Sequence, residues 1–403
     1  MTRNLPGEQS AGRKGGAAGF SLIELMVAMA VFLIVSAASF TLFSRHETLL
    51  SQEQGTAGLN IGLRNTLAQL QLDVVNAGNG QIQGPDVPAW PVGVTIINSN
   101  LTAAQCFTAA TFNASGVMTS PPIYSCFDKL NVVIVDQYTP PLHPTNTCTS
   151  EYDTHSGTAL VATVSNPATG TQLTATQEAA RFFAGDQILF VTGTSPVKYT
   201  TSVLTAAGAV VNSGANVQLT FGATAEGGSN SGAPANDPIF MTTNAPTGEL
   251  SSTFCSSDWV LRLLPIEYFV NTNNTVNGME DPQLIRQQEN GTTGVVAQNV
   301  MMDQIISFKV GAATWNGTTG DANFDYCYND TIATNLFCDA TSTVYGYGQD
   351  YTLIRAVRAT LIGRTTPSSD PTYTYRNPFD GGPYQIRGSS VVVDPRNLTM
   401  SNQ

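Results

Sequence analysis

Charge is scarce in this chain. Only 11% of its 403 residues are Asp, Glu, Lys or Arg, and the lysines, Lys14, Lys129, Lys198 and Lys309, are scattered. The balance is acidic, with a formal net charge of −12. Binding to nucleic acid by bulk electrostatics needs clustered Lys and Arg, so that class of function is excluded. Histidine is nearly missing too, with His46, His143 and His155 alone. No GxSxG, HExxH, P-loop or dinucleotide fingerprint occurs. The residue pattern therefore assembles no catalytic set and calls for no cofactor. Proline is absent between Pro6 and Pro85, which leaves room for one long uninterrupted helix.

Two clusters invite a metal reading, and both fall short of it. His143, Cys148, Asp153 and His155 lie close together, but their spacing matches no standard zinc finger. Asp321, Asn323 and Asp325 make the first half of a calcium loop. Tyr326 stands where that loop needs glycine, and Ile332 where it needs glutamate. A polar turn is the better reading, and no metal ligands are assigned.

Apolar residues make up 42% of the chain, and Thr, Asn, Ser and Gly fill much of the rest. Weakly charged, polar surfaces of this kind belong to β-rich exported proteins more than to cytosolic enzymes. Six cysteines, Cys106, Cys126, Cys148, Cys255, Cys327 and Cys338, contain no CxxC pair. In an exported chain they are candidates for disulfides. The sequence leaves their pairing open, with Cys327 and Cys338 enclosing the shortest loop.

The N-terminus carries the strongest pattern. Residues 1–19 are small and basic, with Arg3, Arg13 and Lys14 against Glu8. Residues 20–43, FSLIELMVAMAVFLIVSAASFTLF, hold one charge, Glu24. As a helix they span about 36 Å, enough to cross a hydrocarbon core. The basic side is N-terminal, so the leader stays in the cytoplasm and the rest is exported. An ordinary secretory signal would put its cleavage site after the apolar run, whereas the glycine here comes before it. A plain anchor would not explain Glu24, since a charge in that setting costs about 2.5–3.5 kcal/mol. Such a residue needs a partner.

The order Gly19-Phe20-Ser21-Leu22-Ile23-Glu24 resembles the processing signal of type IV prepilins and pseudopilins. The resemblance implies cleavage after Gly19 by a prepilin peptidase, N-methylation of Phe20, and pairing of Glu24 with the amine of a neighbouring subunit. A buried carboxylate and a buried ammonium are each costly alone and tolerable together. Such a pair also fixes axial register between helices.

Beyond the apolar run, Leu59, Leu63, Leu67, Leu70 and Val74 recur at helical spacing and predict an amphipathic core stripe. Gly55, Gly58 and Gly62 weaken the helix locally. Gly78 supplies a C-cap. A helix over 20–77 would be about 87 Å long. From residue 78 the pattern turns to short apolar runs between Gly, Pro, Asn and Ser clusters. Strands are predicted over 92–97, 130–135, 187–191, 217–221, 259–264, 266–270, 305–310, 351–362 and 391–393. Residues 98–128 and 138–158 read as loops. The expected fold class is α+β: a long N-terminal helix packed on a β-rich globular domain over 78–403, with an inserted β subdomain across about 140–250.

Further matches run along the chain. Leu70-Gln71-Leu72-Asp73 leading to Ala77-Gly78, Phe183-Ala184-Gly185-Asp186, Ala297-Gln298-Asn299-Val300, Arg355-Ala356-Val357-Arg358 and Arg396-Asn397-Leu398 resemble, in order, segments of PilW-type minor pilins. Two features depart from that family: Asn79 and Gly80 stand where a cysteine is common, and the tail has only Arg387 before its last strand. The resemblance implies a minor pilin at the tip or initiation complex of a type IV pilus, with other pilins and the inner membrane as partners, and ending in an extracellular filament. The related minor pseudopilins of type II secretion, and a pilus-tip adhesin, are the alternatives.

Overall fold

The computed structural model describes residues 21–78, 93–97, 106–114, 118–125, 127–136, 138–145, 159–163, 173–191, 199–204, 206–220, 256–276, 278–289, 296–314, 354–367 and 375–396. It shows a long apolar-led helix followed by a strand-rich domain, an α+β fold. The chain divides into two compact units, Met1–Gly55 and Thr56–Gln403.

Helix α1 spans Leu22–Val75. Its end follows from Gly78, whose φ of 67° suits glycine and whose N–H donates to the Val133 carbonyl. Within the second unit, Leu59, Leu63, Leu67, Leu70 and Val74 are all buried, as the spacing predicts. They pack with residues from two antiparallel sheets.

The larger sheet runs β1 (Val94–Ile97), β2 (Lys129–Val135), β5 (Trp259–Asn271), β6 (Gln283–Glu289) and β7 (Val296–Met302) in spatial order, with β3 (Gln187–Val191) on β5 and β4 (Tyr199–Val203) on β3. The second sheet is a meander of β8 (Ile305–Thr314), β9 (Ile354–Arg364) and β10 (Ile386–Val393). Alternation decides which face is inside. Leu130 and Val132 of β2, Ile266 and Tyr268 of β5, and Phe308 and Val310 of β8 join the helix stripe in one core.

Strand β5 corrects one expectation. Pro265 separates the predicted 259–264 and 266–270, yet the chain makes a single strand. The reason is local. On one side of β5, partner β3 ends its pairing at Leu263 and partner β6 begins at Ile266. The missing proline N–H falls in that gap, so no ladder bond is lost. The loop reading of 98–128 is also corrected in part. Phe107–Thr108 pairs with Ile123–Tyr124, and Thr111–Phe112 with Met118–Ser120. Strands of two or three residues leave no period for a sequence reading to catch.

A second hydrophobic cluster gathers Leu142, Ala175, Ala179, Phe182, Ile188, Leu204, Val217, Leu219 and Val260. It lies among the short helix α2 (Ala175–Ala179) and a small sheet that includes Ala159–Thr163 and Asn216–Thr220. Most of its residues come from the stretch 140–250. Within the larger sheet, Arg262 of β5 ties Asp136, just after β2, to Asp186, just before β3. Its guanidinium donates to both Asp186 oxygens at 2.6 and 3.0 Å and to Asp136 Oδ2 at 3.0 Å, with all three side chains buried. Asp136 also accepts from Tyr138 N–H and the Thr139 hydroxyl, and Asp186 from Phe183 N–H. Buried charge is tolerable only when saturated in this way.

Candidate functional site

The first unit holds the apolar start of α1. Ser21 caps α1. Its hydroxyl accepts from Glu24 N–H at 3.3 Å, and the Glu24 carboxylate accepts from Ser21 N–H at 2.9 Å. This reciprocal pair is a capping box, which satisfies two amide donors that a helix start leaves open. The negative side chain also complements the positive end of the helix dipole. Ser21 was not singled out in the sequence, although the Ser-x-x-Glu spacing before an apolar run was there to be read.

After the cap come Leu22, Ile23, Leu25, Met26, Val27, Phe32, Leu33, Ile34, Phe40 and Phe43. All are more than half exposed, and Leu22 reaches 77%. The segment Leu22–Ser44 is long and apolar enough to cross a membrane, with a mean hydropathy of 2.4 and none of it buried. Three of its hydroxyls bond back to the helix's own carbonyls. Ser39 Oγ donates to Val35 O at 2.9 Å, Thr41 Oγ1 to Ala37 O at 2.8 Å, and Ser44 Oγ to Thr41 O at 3.1 Å. Each bond removes a polar hydrogen that a lipid tail could not satisfy.

Glu24 is thus placed at the helix start, beside Ser21. Gly19 and Phe20 lie outside the described residues. Cys106 is disulfide-bonded. Cys126, Cys148, Cys255, Cys327 and Cys338 lie outside the described residues, as do Asp321, Asn323 and Asp325. Of the histidine-rich stretch only His143 is described. Its ring lies tilted against Trp259 with centroids 4.2 Å apart, and its Nδ1 lies 2.8 Å from Asp258 O. Among the described residues no group of three or more His, Cys, Asp or Glu side chains is placed to hold a metal ion.

In the second unit the polar clusters point inward. Asp73 of α1 receives the Tyr268 hydroxyl at 2.5 Å and Arg286 Nε at 2.7 Å. Lys309 Nζ meets Asp128 Oδ1 at 2.8 Å, while Val310 N–H donates to the other oxygen. Tyr124, Tyr384 and Asp380 bond one another, and the Arg364 guanidinium lies over both rings. Burial, more than any neighbour, pushes the Tyr384 hydroxyl up to about 12 and raises Tyr124 and Tyr268 further. These groups stay neutral or paired at neutral pH and lock elements together.

Residues 15–40 match the family model described as the prokaryotic N-terminal methylation motif. Among solved structures, the chain is similar to a type IV-like pilin from Thermus thermophilus, at 12% identity over 56% of this chain and 93% of that one, with a TM-score of 0.17. No curated protein matches the chain.

Proposed function

We propose that the chain is a filament subunit of the type IV pilin class that works by assembly, with no catalysis of its own. One observation carries the reading: the methylation motif at residues 15–40 coincides with an exposed apolar helix that starts at a Ser21–Glu24 cap. In this reading a prepilin peptidase cuts after Gly19 and the new terminus at Phe20 is methylated. The segment Leu22–Ser44 then holds the subunit in the inner membrane until extraction into the filament. Glu24 meets the Phe20 amine of a neighbouring subunit, because an ion pair is the cheapest way to keep either group out of water.

The size of the domain favours a filament end. Such bulk repeated in every shaft subunit would be hard to pack, so a minor pilin of the tip or initiation complex fits best. The six cysteines would form their disulfides after export.

The test is the intact mass and N-terminal sequence of the protein extracted from membranes, with and without the prepilin peptidase. Methylated Phe20 seen only when the peptidase is present supports the reading. Retention of Met1 in both, or cleavage beyond residue 43, overturns it.

A further inference from the structure

Sheet order ends at β7, and one side of β7 is fully used. Pairing with β6 runs from Glu289↔Val296 to Leu284↔Met302. On the other side no strand follows among the described residues. Residues 296–300 are all exposed, with Val296 at 43% and Val300 at 52%. The free stretch has a definite end. The register shifts between Leu284 and Ile285, which leaves Met301 without a partner on β6. The Met301 carbonyl instead accepts from the Thr66 hydroxyl of α1 at 3.2 Å. The helix therefore closes the edge at Met301 and leaves five residues open.

Open edges are normally blunted by lysine, proline or another charge. Residues 296–300 read Val-Ala-Gln-Asn-Val and contain none. The outer strand of the second sheet, β10, carries Arg387 and two serines over a similar length. An edge presents alternating N–H and C=O groups, and the chemistry that satisfies them is another extended strand.

We propose that residues 296–300 form a self-pairing edge, on which a second copy of this chain adds antiparallel through the same residues. The sequence fits that occupant, because it reads nearly alike in both directions. Pairing about Gln298 sets Val296 opposite Val300 of the other copy, twice. It sets Ala297 opposite Asn299, twice, and Gln298 opposite its own counterpart. β-Branched pairs and facing amides are favourable cross-strand partners. A two-fold contact of this kind is self-complementary by construction. Charge points the same way: copies with a net charge of −12 repel one another, and this strand brings no charge to the contact. Five residues give a weak contact in dilute solution. Copies held in one membrane by Leu22–Ser44 meet at a far higher effective concentration. That last step rests on the membrane reading above, but the pairing geometry does not.

Disulfide trapping in membranes of cells making the full chain tests the idea. Gln298→Cys should give a disulfide-linked homodimer under mild oxidation, several-fold above Leu72→Cys, an exposed helix position used as control. Adding Val300→Lys should remove most of that product. In a mixed population, Ala297→Cys chains should link to Asn299→Cys chains more than to their own kind. The proposal is overturned by a Gln298→Cys yield no higher than the control, by capture of a different protein, by indifference to Val300→Lys, or by cross-links that ignore the 297–299 register. Processing at Gly19 is read from a different measurement, so either idea can fail alone.

Discussion

Asp73 shows how much rests on single polar groups. It takes a hydroxyl from Tyr268 and two nitrogens from Arg286, all in a nearly closed environment. Asp73→Ala leaves the guanidinium half-buried without its counter-charge, and a loss of about 3 kcal/mol is expected from urea unfolding. Gly208 is constrained by space. Its N–H donates to Phe182 O, and a Cβ there would lie 2.6 Å from Ala179 O. Backbone cannot move aside cheaply, so Gly208→Ala should cost about 1–3 kcal/mol and lower the melting temperature. The tyrosines make stability depend on high pH. Tyr384 is raised from 10.0 to about 12, chiefly by burial. A raised pKa means that the folded form holds its proton more tightly. The resulting stability is whole below pH 10 and is lost as pH climbs from 10 to about 12. Thermal melts across that window should show the fall, and Tyr384→Phe should make it shallower.

At the level of elements, α1 offers a direct contrast. Leu63 and Leu70 are buried, while Leu72 is 59% exposed. Alanine at either buried position should cost about 2–5 kcal/mol, and at Leu72 less than about 0.5 kcal/mol, by denaturant titration. The stripe was legible because 3.6-residue periodicity survives without tertiary knowledge. Strands β2, β3 and β8 were legible as short apolar runs between polar turns. Strands β6 and β7 were not. Arg286 and Gln287 of β6 look like surface residues, and only Asp73, far off in sequence, explains the first. Pro265 misled for the opposite reason: proline breaks most central strands, and the gap that spares this one belongs to its neighbours. Near the N-terminus, Glu24 stood out as a lone charge in an apolar run. Ser21 did not, because serine there looks like one more small residue until the helix start is fixed.

For the whole molecule, the division at Gly55 has a practical meaning. Among the described residues, the core of the second unit begins at Leu59. A chain lacking residues 1–51 should keep the cooperative thermal transition of the full protein and stay in the supernatant when membranes are sedimented. Failure to fold would show that the domain depends on the apolar segment.

The bonds of Asp73 also say something about time. Its partners Tyr268 and Arg286 lie 195 and 213 residues further along the chain. A polypeptide is made from its N-terminus, so this helix face is finished long before most of the strands that cover it, with only β1 and β2 following closely. Through that interval Leu59, Leu63, Leu67 and Leu70 are an incompletely covered apolar ridge, open to wrong partners. The demand for chaperoning therefore falls on the earliest part of the domain, and it ends only when strands from the last third of the chain arrive.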